Sequence, residues 1–311
     1  MMPDGLRIVS LLASATEMVA ALGLAERLVG ISHECDWPPT AVAGRPVLTR
    51  PKVDITRRSL DIHQDVQQIV ARGLSVYEID TDALVRARPT HIITQDQCEV
   101  CAVTRTDVMR ATRQCLGTDA SILTLHPDRL DDIFSDIRTV ATGLGVAPRG
   151  EALIGDLRRS MARIAATARA LSKRPRVVCL EWTNPLMAAG NWIPELVDMA
   201  GAINGLTRVG EHTRVVSWNE IVDFDPDLLL IMPCGYTIAQ TLANRADWES
   251  LPGWATTRVV RNQQVWFIDG NTYLNRPGPR IVESLAILAG LCHPETLGPS
   301  IPLGSVARYA P

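Results

Sequence analysis

The stretch Arg7-Ile8-Val9-Ser10-Leu11-Leu12-Ala13-Ser14-Ala15-Thr16-Glu17 decides the fold class, because an apolar run passes directly into a helix-forming pattern. Residues 7–12 are typical of a buried strand. Ser14, followed three residues later by Glu17, predicts a capping box at a helix N-terminus, and Gly23 predicts where that helix ends. A strand that leads at once into a helix indicates the start of a parallel α/β unit.

The same alternation of strand and helix patterns continues to residue 126 and resumes at residue 175. It includes a strand at residues 76–79 and a strand or strand pair within 259–268, and it leaves residues 40–60 irregular. Pro38 and Pro39 predict a loop, since proline suits neither a helix interior nor a central strand. Residues 127–174 instead carry helical periodicity throughout, with apolar stripes that include Ile133, Ile137 and Met161.

These patterns predict an α/β protein with two Rossmann-like lobes, each built on a parallel sheet, and a long backbone helix that joins them. The predicted N-terminal lobe covers residues 1–126, the helical linker residues 127–174, and the C-terminal lobe with its tail residues 175–311. Clefts between lobes are usual ligand sites. We therefore expect a small molecule to bind between the two lobes.

The composition excludes several classes of function. With 31 basic and 34 acidic residues the net charge is −3, which gives no basis for binding nucleic acid or a membrane surface. No apolar run reaches the length of a membrane span, and we expect a monomer. Motifs for a nucleophile elbow, a Walker A loop or a dinucleotide fold are absent from the sequence, so we predict a protein that is not an enzyme. The apolar run at residues 8–13 is short for a signal peptide and follows Asp4, which predicts a cytoplasmic protein, or a periplasmic one if the N-terminus is incomplete.

Thiols and an imidazole follow two strands of the first lobe. His33 and Cys35 come after one predicted strand, and Cys98 and Cys101 come after another. If both strands lie in one parallel sheet, these four side chains meet at one edge and suit zinc or an iron–sulfur cluster. A thiolate or His33 also suits an axial position on a corrinoid cobalt. The alternative is a pair of thiols without metal, because a single CxxC is a weak signal.

Three tryptophans, Trp37, Trp182 and Trp192, fall just after predicted strands. Their rings would hold a wide, flat ligand by stacking and apolar contact. Acidic side chains near the same loops offer partners for a cation or a metal, and Arg276 before a Pro-led helix offers one for an anion. Isolated histidines such as His126 are interpreted as surface residues. The acidic side chains in question are Glu34, Asp36, Glu99 and Glu181.

Several motifs, in this order along the chain, resemble the helical-backbone (class III) periplasmic binding proteins, and among them the cobalamin-binding branch of ABC transporter substrate-binding proteins. The motifs are residues 7–17 with Leu22-Gly23-Leu24, Arg88-Pro89-Thr90-His91-Ile92-Ile93, Asp225-Pro226-Asp227-Leu228-Leu229-Leu230, His33-Glu34-Cys35-Asp36-Trp37-Pro38, Gln97-Cys98-Glu99-Val100-Cys101, Glu181-Trp182-Thr183-Asn184-Pro185, Gly190-Asn191-Trp192-Ile193-Pro194-Glu195 and Asn275-Arg276-Pro277-Gly278-Pro279.

The resemblance implies a ligand-binding component of an ABC importer, with cobalamin or a related corrinoid as ligand and a transporter permease as partner. It also adds Asn191 to the expected ligand-binding residues. The competing interpretation is a cytoplasmic redox protein or enzyme that uses zinc or an iron–sulfur cluster at His33, Cys35, Cys98 and Cys101.

Overall fold

The computed structural model describes residues 5–71, 76–96 and 120–310, and Cys98, Glu99 and Cys101 therefore lie outside the described residues. The chain divides into two compact units. Unit 1 comprises Met1–Arg57, Asp61–Pro127 and Asp131–Asp156, and unit 2 comprises Arg58–Leu60, Asp128–Leu130 and Leu157–Pro311. The predicted domain boundaries at residues 126 and 174 stay a prediction.

The first half of the chain alternates short strands and helices. Its strands are β1 Ile8–Ser10, β2 Leu28–Ile31, β3 Thr49–Pro51, β4 Tyr77–Ile79, β5 His91–Gln95 and β6 Ser121–Leu125. Among the described residues, its helices are α1 Ala13–Ala21, α2 Pro39–Val42, α3 Ser59–Ala71, α4 Thr81–Ala87, α5 Leu130–Gly143 and α6 Ala147–Arg169, and a 3₁₀ turn spans Ala25–Arg27.

The main sheet of unit 1 has the order β2-β1-β5-β6, and every neighbouring pair is parallel. β1 and β2 are mostly apolar and almost wholly buried, as expected of parallel strands that are covered on both faces. Val9 and Ile92 from the central strands pack with Leu48 and Leu84 in one core cluster. The predicted stripe residues Ile133 and Ile137 of α5 are likewise buried.

Three local predictions for unit 1 are wrong. Leu12, not Ser14, occupies the N-cap position of α1 and makes no side-chain cap, while Ser14 is buried inside the helix. Pro39 starts α2, because the first helical turn does not need the N–H that proline lacks. Residues 49–51 form β3, which pairs antiparallel with β4 outside the main sheet.

The strands of unit 2 are β7 Arg176–Thr183, β8 Leu186–Ala188, β9 Ile203–Asn204, β10 Arg214–Val215, β11 Leu228–Ile231, β12 Val265–Ile268 and β13 Val306–Arg308. Its helices are α7 Ile193–Met199, α8 Trp218–Phe224, α9 Ile238–Ala243, α10 Ala246–Glu249, α11 Arg258–Arg261, α12 Ile281–Cys292 and α13 Pro294–Leu297, with 3₁₀ turns at Trp254–Thr256 and Gly298–Ser300.

The sheet of unit 2 has the order β10-β8-β7-β11-β12-β13, and β9 also pairs with β7. Its centre, β7-β11-β12, is parallel, while β8, β10 and β13 are antiparallel to their neighbours. Trp248 and Phe267 lie in the core, with ring centroids 5.5 Å apart. The α/β fold class is confirmed, although residues 258–261 form a helical turn where a strand was predicted.

Candidate functional site

The carboxyl ends of the four parallel strands in unit 1 lie at one edge of the sheet, where loops of α/β proteins carry their ligands. Asp96 follows β5 directly and His126 follows β6 directly. His33 and Cys35 follow β2 at the same edge. Because β1 lies between β2 and β5, the segments after those two strands start about 10 Å apart.

His33 and Cys35 contact different neighbours. The His33 ring lies 2.7 Å from the Thr49 hydroxyl through Nδ1 and 3.1 Å from the Glu34 carboxylate through Nε2. Cys35 is buried, and its sulfur accepts a hydrogen bond of 3.0 Å from the Thr16 hydroxyl. The imidazole and the thiol are therefore engaged with separate parts of unit 1.

The predicted metal site stays a prediction, since half of its ligands lie outside the described residues. Within residues 5–71, 76–96 and 120–310 there is no group of three His, Cys, Asp or Glu side chains that suits a metal ion. Cys35, Cys179, Cys234 and Cys292, the cysteines in this part of the chain, are all unbridged.

Trp37 presents an aromatic surface in unit 1. It lies between β2 and α2 and is 43% exposed, although large apolar side chains are usually buried. Asp36 beside it is exposed and Glu34 is half-buried. An exposed ring flanked by carboxylates at the carboxyl edge of the sheet suits contact with a ligand that is partly apolar and partly polar.

One cluster at this edge escaped the sequence analysis, although the prediction that His126 lies on the surface is confirmed by its exposed side chain. The His126 ring contacts the Asp96 carboxylate through Nδ1 at 2.8 Å. The His126 backbone N–H donates to Oδ1 of Asp136, a buried residue of α5, at 3.4 Å. Burial raises the pKa of the Asp136 carboxyl to about 7. The sequence feature that could have indicated this cluster is that Asp96 and His126 each follow a strand directly.

In unit 2, Trp182 belongs to β7 and does not follow it as predicted, because the strand continues into a hairpin with β8. Its ring packs edge-on against Tyr236 with the centroids 5.2 Å apart, and its Nε1–H donates to the Asn184 carbonyl at 3.1 Å. Tyr236 follows β11. Since β7 and β11 are parallel neighbours, this aromatic pair lies at the carboxyl edge of the unit 2 sheet.

The Tyr236 hydroxyl was not predicted. It is buried without a hydrogen-bond partner among the described residues. Burial, with a smaller contribution from the nearby Asp247 carboxylate, raises the pKa of Tyr236 to about 12, so the phenol stays neutral. Asp247 in turn accepts a hydrogen bond of 2.8 Å from Thr183, the last residue of β7. A neutral donor therefore lies beside the Trp182 ring.

The remaining predicted residues of unit 2 have structural contacts. Trp192 is only 5% exposed, and its Nε1–H donates to the Leu274 carbonyl at 2.8 Å. Arg276 is 5% exposed. Asn191 has a φ of 51°, and its backbone N–H donates to the Glu211 carbonyl at 2.7 Å. Glu181 is half-buried within β7. Of these, Glu181 lies nearest in sequence to the aromatic pair, and the ligand roles of all four stay predictions.

Known proteins that are similar to this chain are described as binding proteins. Residues 8–272 match the family described as Periplasmic binding protein. A Vitamin B12-binding protein of Vibrio cholerae is 22% identical over 281 residues, which cover 90% of this chain and 86% of that protein. An ABC transporter substrate-binding lipoprotein of Bacillus subtilis is 19% identical over 295 residues, which cover 93% of this chain and 81% of that protein. The crystal structure of a periplasmic heme-binding protein from Pseudomonas aeruginosa superimposes with a TM-score of 0.70 at 22% identity, over 98% of each chain.

Two α/β units, each with a parallel sheet centre and candidate ligand groups at the strand ends, define a solute-binding protein of the two-lobed, helical-backbone type. The chain belongs to the Periplasmic binding protein family, which matches it over residues 8–272. This confirms the predicted family resemblance, and it agrees with the prediction that the chain is not an enzyme, because the family is one of binding proteins. The prediction of a cytoplasmic protein is not supported by a family of periplasmic and lipoprotein members. Within the described ranges, every helix is too short or too polar to cross a bilayer.

Proposed function

We propose that this chain is the substrate-binding component of an ABC importer and that its ligand is cobalamin or a related corrinoid. The observation that carries the proposal is the pair Trp182 and Tyr236 at the carboxyl edge of the unit 2 sheet, with centroids 5.2 Å apart. Trp37, 43% exposed, supplies a comparable ring at the carboxyl edge of the unit 1 sheet. The name of the Vibrio cholerae relative supports the same ligand class.

The chemistry of these residues suits a corrinoid. A corrin ring is wide and mostly apolar, with amide groups around its rim, so it needs aromatic surface together with a few polar contacts. Aromatic contacts contribute about 1 kcal/mol each beyond the area that they bury. The neutral Tyr236 hydroxyl is a hydrogen-bond group suited to an amide.

Heme is the second candidate, because it is a flat tetrapyrrole of similar size. The Pseudomonas aeruginosa structure is named as a heme-binding protein. His33 and Tyr77, whose rings lie 5.1 Å apart in unit 1, are residue types that ligate heme iron. Corrinoid and heme therefore need to be tested side by side.

Titration of the purified chain with cyanocobalamin and with hemin, followed by calorimetry and absorbance, tests the proposal. We expect saturable binding of one of them, and an affinity loss of about tenfold in Trp182→Ala and Trp37→Ala. Trp266→Ala is the matched control, because Trp266 lies in the middle of β12 and stacks with Arg308. Binding of neither compound by folded protein would rule out a tetrapyrrole ligand.

Elemental analysis and an absorbance spectrum of anaerobically purified protein test the competing metal or iron–sulfur interpretation. We expect neither stoichiometric zinc nor a cluster absorbance band that disappears in Cys35→Ser. Such a band would favour the redox interpretation, and it would be distinct from the spectra of corrinoid and heme.

We also propose that the protein works outside the cytoplasm and delivers its ligand to a transporter permease. The family and the lipoprotein relative of Bacillus subtilis support this location and this partner. Fractionation of cells that express the full gene should place the protein outside the cytoplasmic fraction. Recovery in the cytoplasmic fraction would contradict the proposed transport role.

A further inference from the structure

Three titratable side chains connect the ends of two strands to a helix in unit 1. Asp96 follows β5, His126 follows β6, and Asp136 lies in α5. The His126 ring lies 2.8 Å from the Asp96 carboxylate, and the His126 N–H donates to Asp136 at 3.4 Å. We call these three residues the edge cluster. Its position at the carboxyl ends of parallel strands is where a ligand would contact unit 1.

Asp136 is the unusual member of the edge cluster. Its side chain belongs to a residue that is only 8% exposed, and its second oxygen, Oδ2, has no hydrogen-bond partner among the described residues. The charged groups that face it in this part of the chain are Asp132 from α5, Asp96 from the end of β5 and His126 from the end of β6. A buried carboxylate with one unsatisfied oxygen and two acidic neighbours is costly to ionise.

The pKa of Asp136 follows from this geometry. Desolvation is the largest cause and raises the pKa to about 7, with further increases from Asp132 and Asp96, while the contact with His126 opposes the rise. An aspartate in water has a pKa near 3.9 and keeps its charge throughout the neutral range. With a pKa of about 7, Asp136 gains or loses most of one charge between about pH 6 and about pH 8.

We infer that the edge cluster is a proton-responsive element of the ligand site, which loses a negative charge on mild acidification and thereby strengthens the binding of an anionic ligand. This inference rests on the proposed function with heme, its second candidate, as the ligand. Heme carries two carboxylates and is repelled by a negative edge, whereas cyanocobalamin has no free carboxylate. The pH dependence introduced by Asp136 should therefore be seen with hemin and be nearly absent with cyanocobalamin.

A carboxyl carbon NMR titration tests the protonation step without any ligand. We expect the Asp136 signal to titrate with a midpoint near 7, as the pKa of this carboxyl implies. Asp136→Asn assigns the signal, because it removes this one titration and leaves an oxygen to accept the His126 N–H. A midpoint below about 5, in the ordinary range of a carboxyl, would overturn the inference even if the protein binds its ligand.

The ligand step is tested with hemin titrations at about pH 6 and about pH 8 for the wild type and Asp136→Asn. At an effective separation of about 10 Å, one charge changes the affinity for an anion by about threefold. We expect this additional pH dependence in the wild type and its loss in Asp136→Asn. Asp131→Asn is the control, because Asp131 is an exposed residue of the same helix.

The outcomes separate the inference from the proposed function. An equal pH dependence in the wild type and Asp136→Asn, with hemin bound by both, would overturn the inference and leave the proposed function standing. If Asp136→Asn does not fold, Asp136→Ser serves in its place, and the wild-type NMR titration still decides the protonation step. Binding of cyanocobalamin without binding of hemin would overturn the inference and leave the proposed function standing, whereas binding of neither compound would contradict the proposed function.

Discussion

The two units differ in the sheets that carry their candidate ligand groups. Unit 1 has four strands that are all parallel, and its candidate groups lie in the segments after the strands. Unit 2 has a parallel centre flanked by antiparallel strands, and its Trp182 lies within the extended strand β7. A parallel sheet leaves its candidate groups on separate loops. The hairpin of unit 2 instead fixes Trp182 by ladder hydrogen bonds, which gives the aromatic pair a rigid base.

The largest expected effect on the free energy of unfolding comes from truncating one large core side chain in each unit. Trp248→Ala should lower the free energy of unfolding by about 4 kcal/mol, because Trp248 is buried against Phe267 in unit 2. Ile92→Ala should lower it by about 3 kcal/mol through the central strand of unit 1. Chemical denaturation measures the loss, and hydrogen exchange of peptides assigns it to a unit.

Leu303→Ala is the control for both core variants, since Leu303 is fully exposed. We expect no measurable change there. If Trp248→Ala also lowers the hydrogen-exchange protection of peptides in unit 1, the two units unfold together. The stability of one unit could then not be compared with that of the other.

The next effect distinguishes a glycine that lies against backbone from a glycine that lies against a side chain. A Cβ atom on Gly270 would lie 2.1 Å from the Pro233 carbonyl oxygen in unit 2, whereas a Cβ atom on Gly30 would lie 2.4 Å from the Leu48 side chain in unit 1. Backbone cannot move aside as a side chain can. We expect Gly270→Ala to cost about 3 kcal/mol and Gly30→Ala about 1 kcal/mol, measured by denaturation.

Gly298→Ala is a suitable control for both glycines, because its nearest neighbour would be 3.9 Å from the new methyl group. Equal losses in Gly270→Ala and Gly30→Ala would mean that the Pro233 segment adjusts as readily as the Leu48 side chain.

A third effect belongs to unit 1 alone and depends on pH. The pKa of Asp136 is raised in the folded state to about 7, so its protonated form stabilises the fold at low pH and that contribution is lost as the pH rises through 7. The wild type should lose about 1 kcal/mol between pH 6 and pH 8 relative to Asp136→Asn. Thermal unfolding across this range measures it, and parallel curves for the two proteins would contradict it.

The smallest effect should be the same in both units. The Asp80 side chain caps α4 by accepting from the Ala83 N–H at 2.8 Å, and Ser217 and Glu220 form a capping box on α8. Removal of an N-cap costs about 1 kcal/mol, so Asp80→Ala and Ser217→Ala should lose similar amounts. Asp80→Ser and Ser217→Asp retain a capping oxygen and should stay close to the wild type in thermal unfolding.

Features that a local sequence pattern carries could be predicted, whereas features that depend on pairing with distant residues could not. The apolar stripe of α5 repeats over 14 residues, and β1 and β11, although short, each lie in a continuous apolar run. β8 spans only three residues and depends on pairing with β7, which no local pattern reports. Val259 and Val260 favour a strand by propensity, yet they lie in the helical turn α11, where both are buried in the core of unit 2.

The residues of the candidate site also differ in whether a local sequence pattern identifies them. Trp37 and Trp182 were identified because tryptophan near a strand end is conspicuous in any sequence. Asp96 and Asp136 were missed because their contacts with His126 join different strands and a helix, and no local sequence pattern reports such contacts. Trp192 was identified by the same pattern. Its ring is buried in unit 2 and its Nε1–H donates to the Leu274 carbonyl, which the sequence did not predict, and its ligand role stays a prediction.

The last strand has a practical consequence for handling the protein. β13 pairs antiparallel with β12 along Trp266–Ile268, so it covers the hydrogen-bonding edge of an apolar strand. Removal of the chain from residue 305 onward would leave that edge open as a template for other molecules, and exposed edges of this kind promote aggregation. Expression tags and surface-attachment chemistry therefore belong away from this end of the chain, and a shortened version is expected to precipitate on storage.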